Sequence, residues 1–188
     1  ISLSPILAGG TVMVPFRGEM VELRLEKGTG FSHSVAADGG RIAIFKSGLD
    51  RLDAREQERL MASMLASWYF RRSAELIRQI WLRLEPAAPG GSVSLWLKDL
   101  RTSWGTCSKR NRRISLNWRL VMAPEKVCEY VVAHELSHLR RADHGSEFWK
   151  QVADLVPECR EHRKWLNANG LRLMNFLGEI RPKWTRIV

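Results

Sequence analysis

His134, Glu135 and His138 form a His-Glu-x-x-His arrangement inside an apolar run, and His144 follows six residues later. Three imidazole nitrogens and a carboxylate at this spacing match what a hydrolytic metal centre uses. Residues four apart on a helix project from nearly one stripe, so His134 and His138 reach one ion together at about 2.0–2.1 Å. Glu135 lies about 100° round the same helix. That makes it a poor third ligand but places it beside a metal-activated water, where it acts as general base. Three protein nitrogens leave a fourth position for water or substrate, the mark of a catalytic rather than structural zinc site.

The third ligand must come from beyond the helix. His144 is the candidate, reached through Arg140-Arg141-Ala142-Asp143, with Gly145 allowing a tight turn. Asp143 and Glu147 compete for the place, and the preference of zinc for imidazole favours His144. Three of the five histidines thus fall within residues 134–144. His33, in a loop, and His162, on the surface, are read as incidental. Cys128 lies about 240° round the helix from His134 and faces away. Cys107, expected in a loop, is read as a plain buried thiol.

The elements that must position these groups show in the periodicity. Pro124 to Arg141 reads as one helix: Pro124 suits a first turn, Glu125 complements its positive end, and Val127, Tyr130, Val131, His134 and His138 recur at helical steps. Asp53-Ala54-Arg55-Glu56 resembles a capping box that opens a long helix to about Leu84. Its apolar stripe holds Leu60, Met61, Met64, Leu65 and Trp68, then Leu76, Ile77, Ile80 and Trp81. Pro86 to Gly91 ends it as the one convincing linker.

Before that helix, Thr11 to Val14, Met20 to Leu25 and Arg41 to Phe45 read as strands separated by glycines. After it, Val93 to Leu97 and Ile114 to Trp118 read as strands feeding the metal helix. A sheet edge there suits an extended peptide added as a strand. Ser146 to Val156 reads as a helix broken by Pro157, and Glu161 to Asn169 as another ended by Gly170. Arg181 to Val188 reads as a poorly anchored tail.

At 188 residues and 45% hydrophobic, the chain buries one core, so residues 1–188 are expected to form a single domain. Residues 1–92 supply the N-terminal strands and long helix, and 93–175 the catalytic core. No run approaches the roughly 20 apolar residues of a membrane span, and none has the pattern of a signal peptide. Three cysteines without CxxC spacing argue against a disulfide framework and for a cytoplasmic setting. The net charge of +10 favours anionic partners, DNA or nucleotides, through Lys109, Arg110, Arg112 and Arg113. Arg140 and Arg141 add to it, as do Arg160, Arg163 and Lys164.

Three blocks together resemble the YgjP-like metallopeptidase family, a relative of the SprT-like and WLM groups of zincins. They are Trp104-Gly105-Thr106-Cys107-Ser108, then Ile114 to Leu120, then His134 to His138 with His144 to Trp149. The resemblance runs from about Leu95 to Gly170, and Lys164-Trp165-Leu166 also fits it. It implies a minimal zincin-like α+β fold with a small antiparallel or mixed sheet packed on the HExxH helix. It also implies Zn2+ on His134, His138 and His144, with Glu135 as base. Metzincins share the ligand spacing, but their motif has Gly where this chain has Arg141, and no Met-turn follows.

The reading is therefore a zinc-dependent metallopeptidase in which Glu135 assists attack of a zinc-bound water on a peptide bond. Its alternatives are a nucleoside triphosphate pyrophosphohydrolase, with the basic loops holding phosphates, and a DNA-associated protease of SprT-like type. A non-catalytic binding module is disfavoured by the intact ligands and Glu135. Asn117 and Arg119 are among the candidates for a further oxyanion donor.

Overall fold

Asp53 opens the longest element of the computed structural model, which describes residues 2–27, 34–38, 40–46, 51–178, 180 and 185–188. The N–H of Glu56 donates to the Asp53 carboxylate at 2.8 Å, and the N–H of Asp53 donates to that of Glu56 at 3.1 Å. This reciprocal pair is the expected capping box. The helix that follows, α2 (Ala54–Leu84), is about 46 Å long. Met61, Leu65, Trp68, Leu76, Ile77, Ile80 and Trp81 are buried along it, and Leu60 and Met64 are half-buried. It packs against both sheets and against the metal-site helix. A short helix, α1 (Ser4–Leu7), precedes the first strand.

The first sheet contains β1 (Val12–Phe16), β2 (Glu19–Lys27), β3 (Ser34–Asp38) and β4 (Arg41–Lys46) in the order β1-β2-β4-β3. β2 and β4 are parallel, and the two outer pairs are antiparallel. β3 is an addition to the expected strands, because Ser-Val-Ala-Ala-Asp carries little β-propensity. His33 lies outside the described residues.

Arg17 and Gly18 join β1 to β2 with φ of 52° and 89°, the positive pair that a tight hairpin turn needs. Their N–H groups donate to the carbonyls of Val121 and Met122 at 2.9 Å each. A Cβ on residue 18 would stand 2.7 Å from Pro124 Cγ, so the close approach also requires glycine. The N-terminal sheet thereby grips the 3-10 turn Trp118–Met122 that leads into the metal-site helix. Tyr69 adds a buried tie, its hydroxyl donating to Pro15 O at 2.7 Å.

The second sheet contains β5 (Ser94–Lys98), β6 (Gly105–Ser108), β7 (Arg113–Asn117) and β8 (Thr185–Arg186), ordered β6-β7-β5-β8. β5 and β7 are parallel, and β6 and β8 run antiparallel to their neighbours. Two expectations are corrected here. Residues 105–108 form an edge strand rather than a loop, which puts Cys107 on β6. The residues 185–188 are not a loose tail: Ile187 N–H donates to Leu95 O at 2.8 Å, and Leu95 N–H to Val188 O at 3.1 Å. Backbone pairing anchors them, a contact that side-chain types do not advertise.

Three helices complete the fold: α3 (Glu125–Ser137), α4 (Ser146–Leu155) and α5 (Cys159–Met174). α3 stops short of the expected Arg141, although His138 keeps a helical backbone as its cap. α5 runs through Gly170 instead of ending there. A Cβ at that position would lie 3.2 Å from Trp104 Nε1, so Gly170 admits a close aromatic neighbour rather than capping a helix. The buried apolar residues of both sheets and of α2, α3, α4 and α5 form one continuous cluster. The architecture is α+β with small mixed sheets, as expected. Among the described residues, no helix is long and apolar enough to cross a membrane.

Candidate metal centre

Pro124 starts α3, its carbonyl accepting from the N–H of Val127 at 2.9 Å and of Cys128 at 3.2 Å. Cys128 faces away from the histidines as expected: its thiol donates to Leu120 O at 2.7 Å, and burial pushes its pKa up. Six residues beyond Cys128, His134 and then His138 point to one side. Ser137 Oγ donates to Ala133 O at 2.8 Å, and the N–H groups of Arg140 and Arg141 both return to Ser137 O at 3.0 Å. This closed turn, with Leu139 buried beneath it, carries the chain round to His144. Gly145 follows with an ordinary φ of −68°, so no left-handed turn is involved. Its small size matters instead, since a Cβ there would lie 3.0 Å from Asp143 Oδ2.

The three imidazoles converge. One ligand nitrogen from each of His134, His138 and His144 lies within 4.8 Å of the others, and neither Asp143 nor Glu147 joins the group. His134 Nε2 and His144 Nε2 are 3.2 Å apart. Two nitrogens on one tetrahedral zinc stand about 3.3 Å apart, so the donor set and its spacing fit such an ion. His138 Nδ1 donates to Arg141 O at 3.0 Å, which fixes the proton on Nδ1 and leaves Nε2 as the free donor. His134 Nδ1 is buried with no hydrogen-bond partner among the described residues, so packing rather than a bond at Nδ1 orients that ring.

Packing comes mainly from Phe148. Its ring centre lies 4.9, 4.6 and 4.7 Å from those of His134, His138 and His144, making it a common floor. Trp149 flanks His134 and His144 at 5.8 and 5.9 Å, and Tyr130 flanks His134 at 5.9 Å. Burial lowers the His134 pKa to about 4, helped by the charges of His138, His144 and Arg163. Burial also lowers that of His138, against the opposing pull of the Arg141 carbonyl. Both rings are therefore unprotonated near neutral pH, the form that binds metal.

Glu135 is buried at 6% exposure and lies against the backbone of β6. A Cβ on residue 105 would sit 2.5 Å from its Cγ and 2.7 Å from its Oε1. Only glycine leaves room for the carboxylate here. Burial pushes the Glu135 pKa up to about 7, near the value that suits proton transfer at neutral pH. Cys107, two residues along β6, is a half-buried free thiol raised to about 11 by burial and then by Glu135.

Several other expected residues serve the scaffold. Asn117 Nδ2 donates to Leu100 O at 2.7 Å and Ser103 O at 3.2 Å, and its Oδ1 accepts from Arg119 N–H. Arg119 is buried, paired with Asp99, and donates from Nε to Phe176 O at 3.0 Å. Neither is free to meet a substrate, which removes both as oxyanion donors. Arg112 is likewise engaged: its guanidinium clamps the linker carbonyls of Pro89, Gly91 and Ser92 at 2.6, 2.8 and 3.1 Å. Lys109 donates to Arg140 O at 3.2 Å. His162 sits by Glu158 at 3.8 Å, outside the cluster, and is partly buried rather than at the surface.

The family model described as "YgjP-like, metallopeptidase domain" matches residues 5–169. The chain belongs to the YgjP-like metallopeptidase family. The match takes in the N-terminal sheet and α2 of this YgjP-like chain together with the histidine cluster. Among solved structures, the metallopeptidase zymogen of Pyrococcus abyssi abylysin is similar at 22% identity and a TM-score of 0.41. That similarity covers 51% of this chain and 93% of that one. No curated protein matches significantly. Phe148, Gly105 and Trp149 are the site residues that the sequence reading did not single out for function. A signal for Phe148 was present, since it falls in the block from His144 to Trp149 that carries the family resemblance.

Proposed function

We propose that this YgjP-like metallopeptidase is a zinc enzyme of the HExxH class with a zincin-like core and Glu135 as its general base. The observation that carries the reading is the buried Glu135, fitted against Gly105 beside three converging imidazoles. His134, His138 and His144 would hold the ion. Bound there, zinc supplies Lewis-acid polarisation of a carbonyl and lowers the pKa of water.

The protein's own groups do the rest. A Glu135 carboxylate oxygen accepts the proton of the attacking water and returns it to the leaving amine nitrogen. Its elevated pKa supports both transfers near neutral pH. The Arg141 carbonyl keeps His138 oriented, and Phe148 keeps all three rings in register. β6 is paired only with β7 among the described residues, and its outer edge supports an extended peptide added as a strand.

The engagement of Arg112 and Lys109 weighs against the basic loop as a phosphate cradle, though exposed Arg110 and Arg113 leave DNA association as a reading to test. The test is product analysis by mass spectrometry. Zinc-loaded protein is given an unfolded protein with and without DNA, and separately a nucleoside triphosphate panel, with Glu135→Gln as the blank. New peptides absent from the blank are the expected result. Nucleoside monophosphate plus pyrophosphate, with the protein substrate intact, would overturn the reading.

A further inference from the structure

With Asn117, Arg119, Lys109 and Arg112 consumed by the scaffold, a further cation stacks on a ring that flanks the histidine cluster. Arg163, on α5, is exposed and makes no ion pair among the described residues. Its guanidinium carbon lies 4.8 Å from the centre of the Trp149 ring. That same ring is 5.8 Å from His134 and 5.9 Å from His144.

A stacked guanidinium is held in place at small entropic cost while its five donors stay available. A fixed positive charge so close to the residues that hold a divalent cation is unfavourable by itself. An arriving anion reverses the sign of that interaction. Distance then selects which anion. Arg163 meets the same Trp149 ring that flanks two of the ligands, which puts its guanidinium within two ring contacts of the cluster. An extended chain advances about 3.3–3.6 Å per residue, so one or two residues cover the gap.

Resting on the peptidase reading, we propose that Arg163 is a specificity residue that binds a carboxylate carried by the peptide one or two residues from the scissile bond, with Trp149 holding the guanidinium. Two sources share this chemistry, an acidic side chain and a free C-terminus.

The experiment uses peptide hydroxamates that anchor on the metal of the zinc-loaded protein, with the hydroxamate at either end. Each carries Glu, Gln or Lys one or two residues away, with the C-terminus free or amidated, and affinity is read by calorimetry. In at least one register, the Glu or free-carboxyl member is expected to bind about tenfold more tightly than its neutral counterpart. Arg163→Gln should erase that ratio while the neutral member still binds, which controls for folding. Arg163→Lys should retain most of it, and Arg163→Glu should favour the Lys member. A ratio unchanged in Arg163→Gln and Arg163→Glu would overturn the assignment. Cleavage of matching peptides is measured in parallel. An Arg163-dependent preference without any cleavage by the wild-type chain would sink the peptidase reading and leave Arg163 as a carboxylate site.

Discussion

Gly105→Ala is expected to separate metal binding from catalysis in this protein. The added methyl would stand 2.5 Å from Glu135 Cγ, 2.8 Å from Cδ and 2.7 Å from Oε1. Ordinary carbon contacts lie at about 3.5–4.0 Å, so something must retreat by about 1 Å. The backbone of residue 105 is tied by its pairing with Leu116, and α3 is buried among its neighbours. The Glu135 side chain is therefore what moves. A displacement of that size at a reacting group costs on the order of a hundredfold in rate. Overpacking adds about 1–3 kcal/mol of destabilisation, which most folded domains tolerate. The histidines are untouched. Metal content and kcat on an unfolded protein substrate are measured side by side, with Glu135→Gln as reference. The expected outcome is full metal occupancy with kcat down by about two orders of magnitude. Unchanged kcat at full occupancy would refute the placement of Glu135 against β6, and loss of the metal would refute the separation of roles.

Glu135→Gln should stabilise the metal-free protein in a pH-dependent way. The folded pKa of about 7 lies above the ordinary 4.5, so the burial penalty is absent below about pH 4.5 and complete above about pH 7. Urea denaturation should then show a gain on the order of 3 kcal/mol at pH 8 and almost none at pH 4.5; a pH-independent gain contradicts the account. Phe148→Ala removes the floor beneath three rings and should cost about 3–5 kcal/mol of stability. It should also weaken metal affinity in a chelator competition, and unaltered affinity would show that the rings hold themselves. His144→Ala should abolish tight metal binding while Asp143→Asn and Glu147→Gln leave it intact; the reverse pattern would replace the third ligand.

The convergence of the histidines was legible because it rests on local rules: helical spacing on α3 and a short return to His144. The capping box at Asp53 and the end of α2 at Leu84 were readable for the same reason. What escaped depends on contacts between distant segments. Gly170 resembles a helix stop, but the ring it accommodates is Trp104, far away in sequence. Gly105 looks like a loop residue until α3 brings Glu135 against it. β3 and β6 are short and poor in β-branched residues, so backbone pairing rather than propensity makes them strands. The charge of the basic loop was visible, but the carbonyls that engage Arg112 and Lys109 were not. Arg163 was one of three cations in a segment, and only the fold sets it beside Trp149.

Titrating zinc into metal-free protein while following peptide-bond cleavage tests the central claim most directly. The account predicts a rate that rises linearly to one zinc per chain and then levels off, with Glu135→Gln binding the same equivalent and cleaving nothing. Full occupancy without cleavage by the wild-type chain, or equal cleavage by Glu135→Gln, would contradict it.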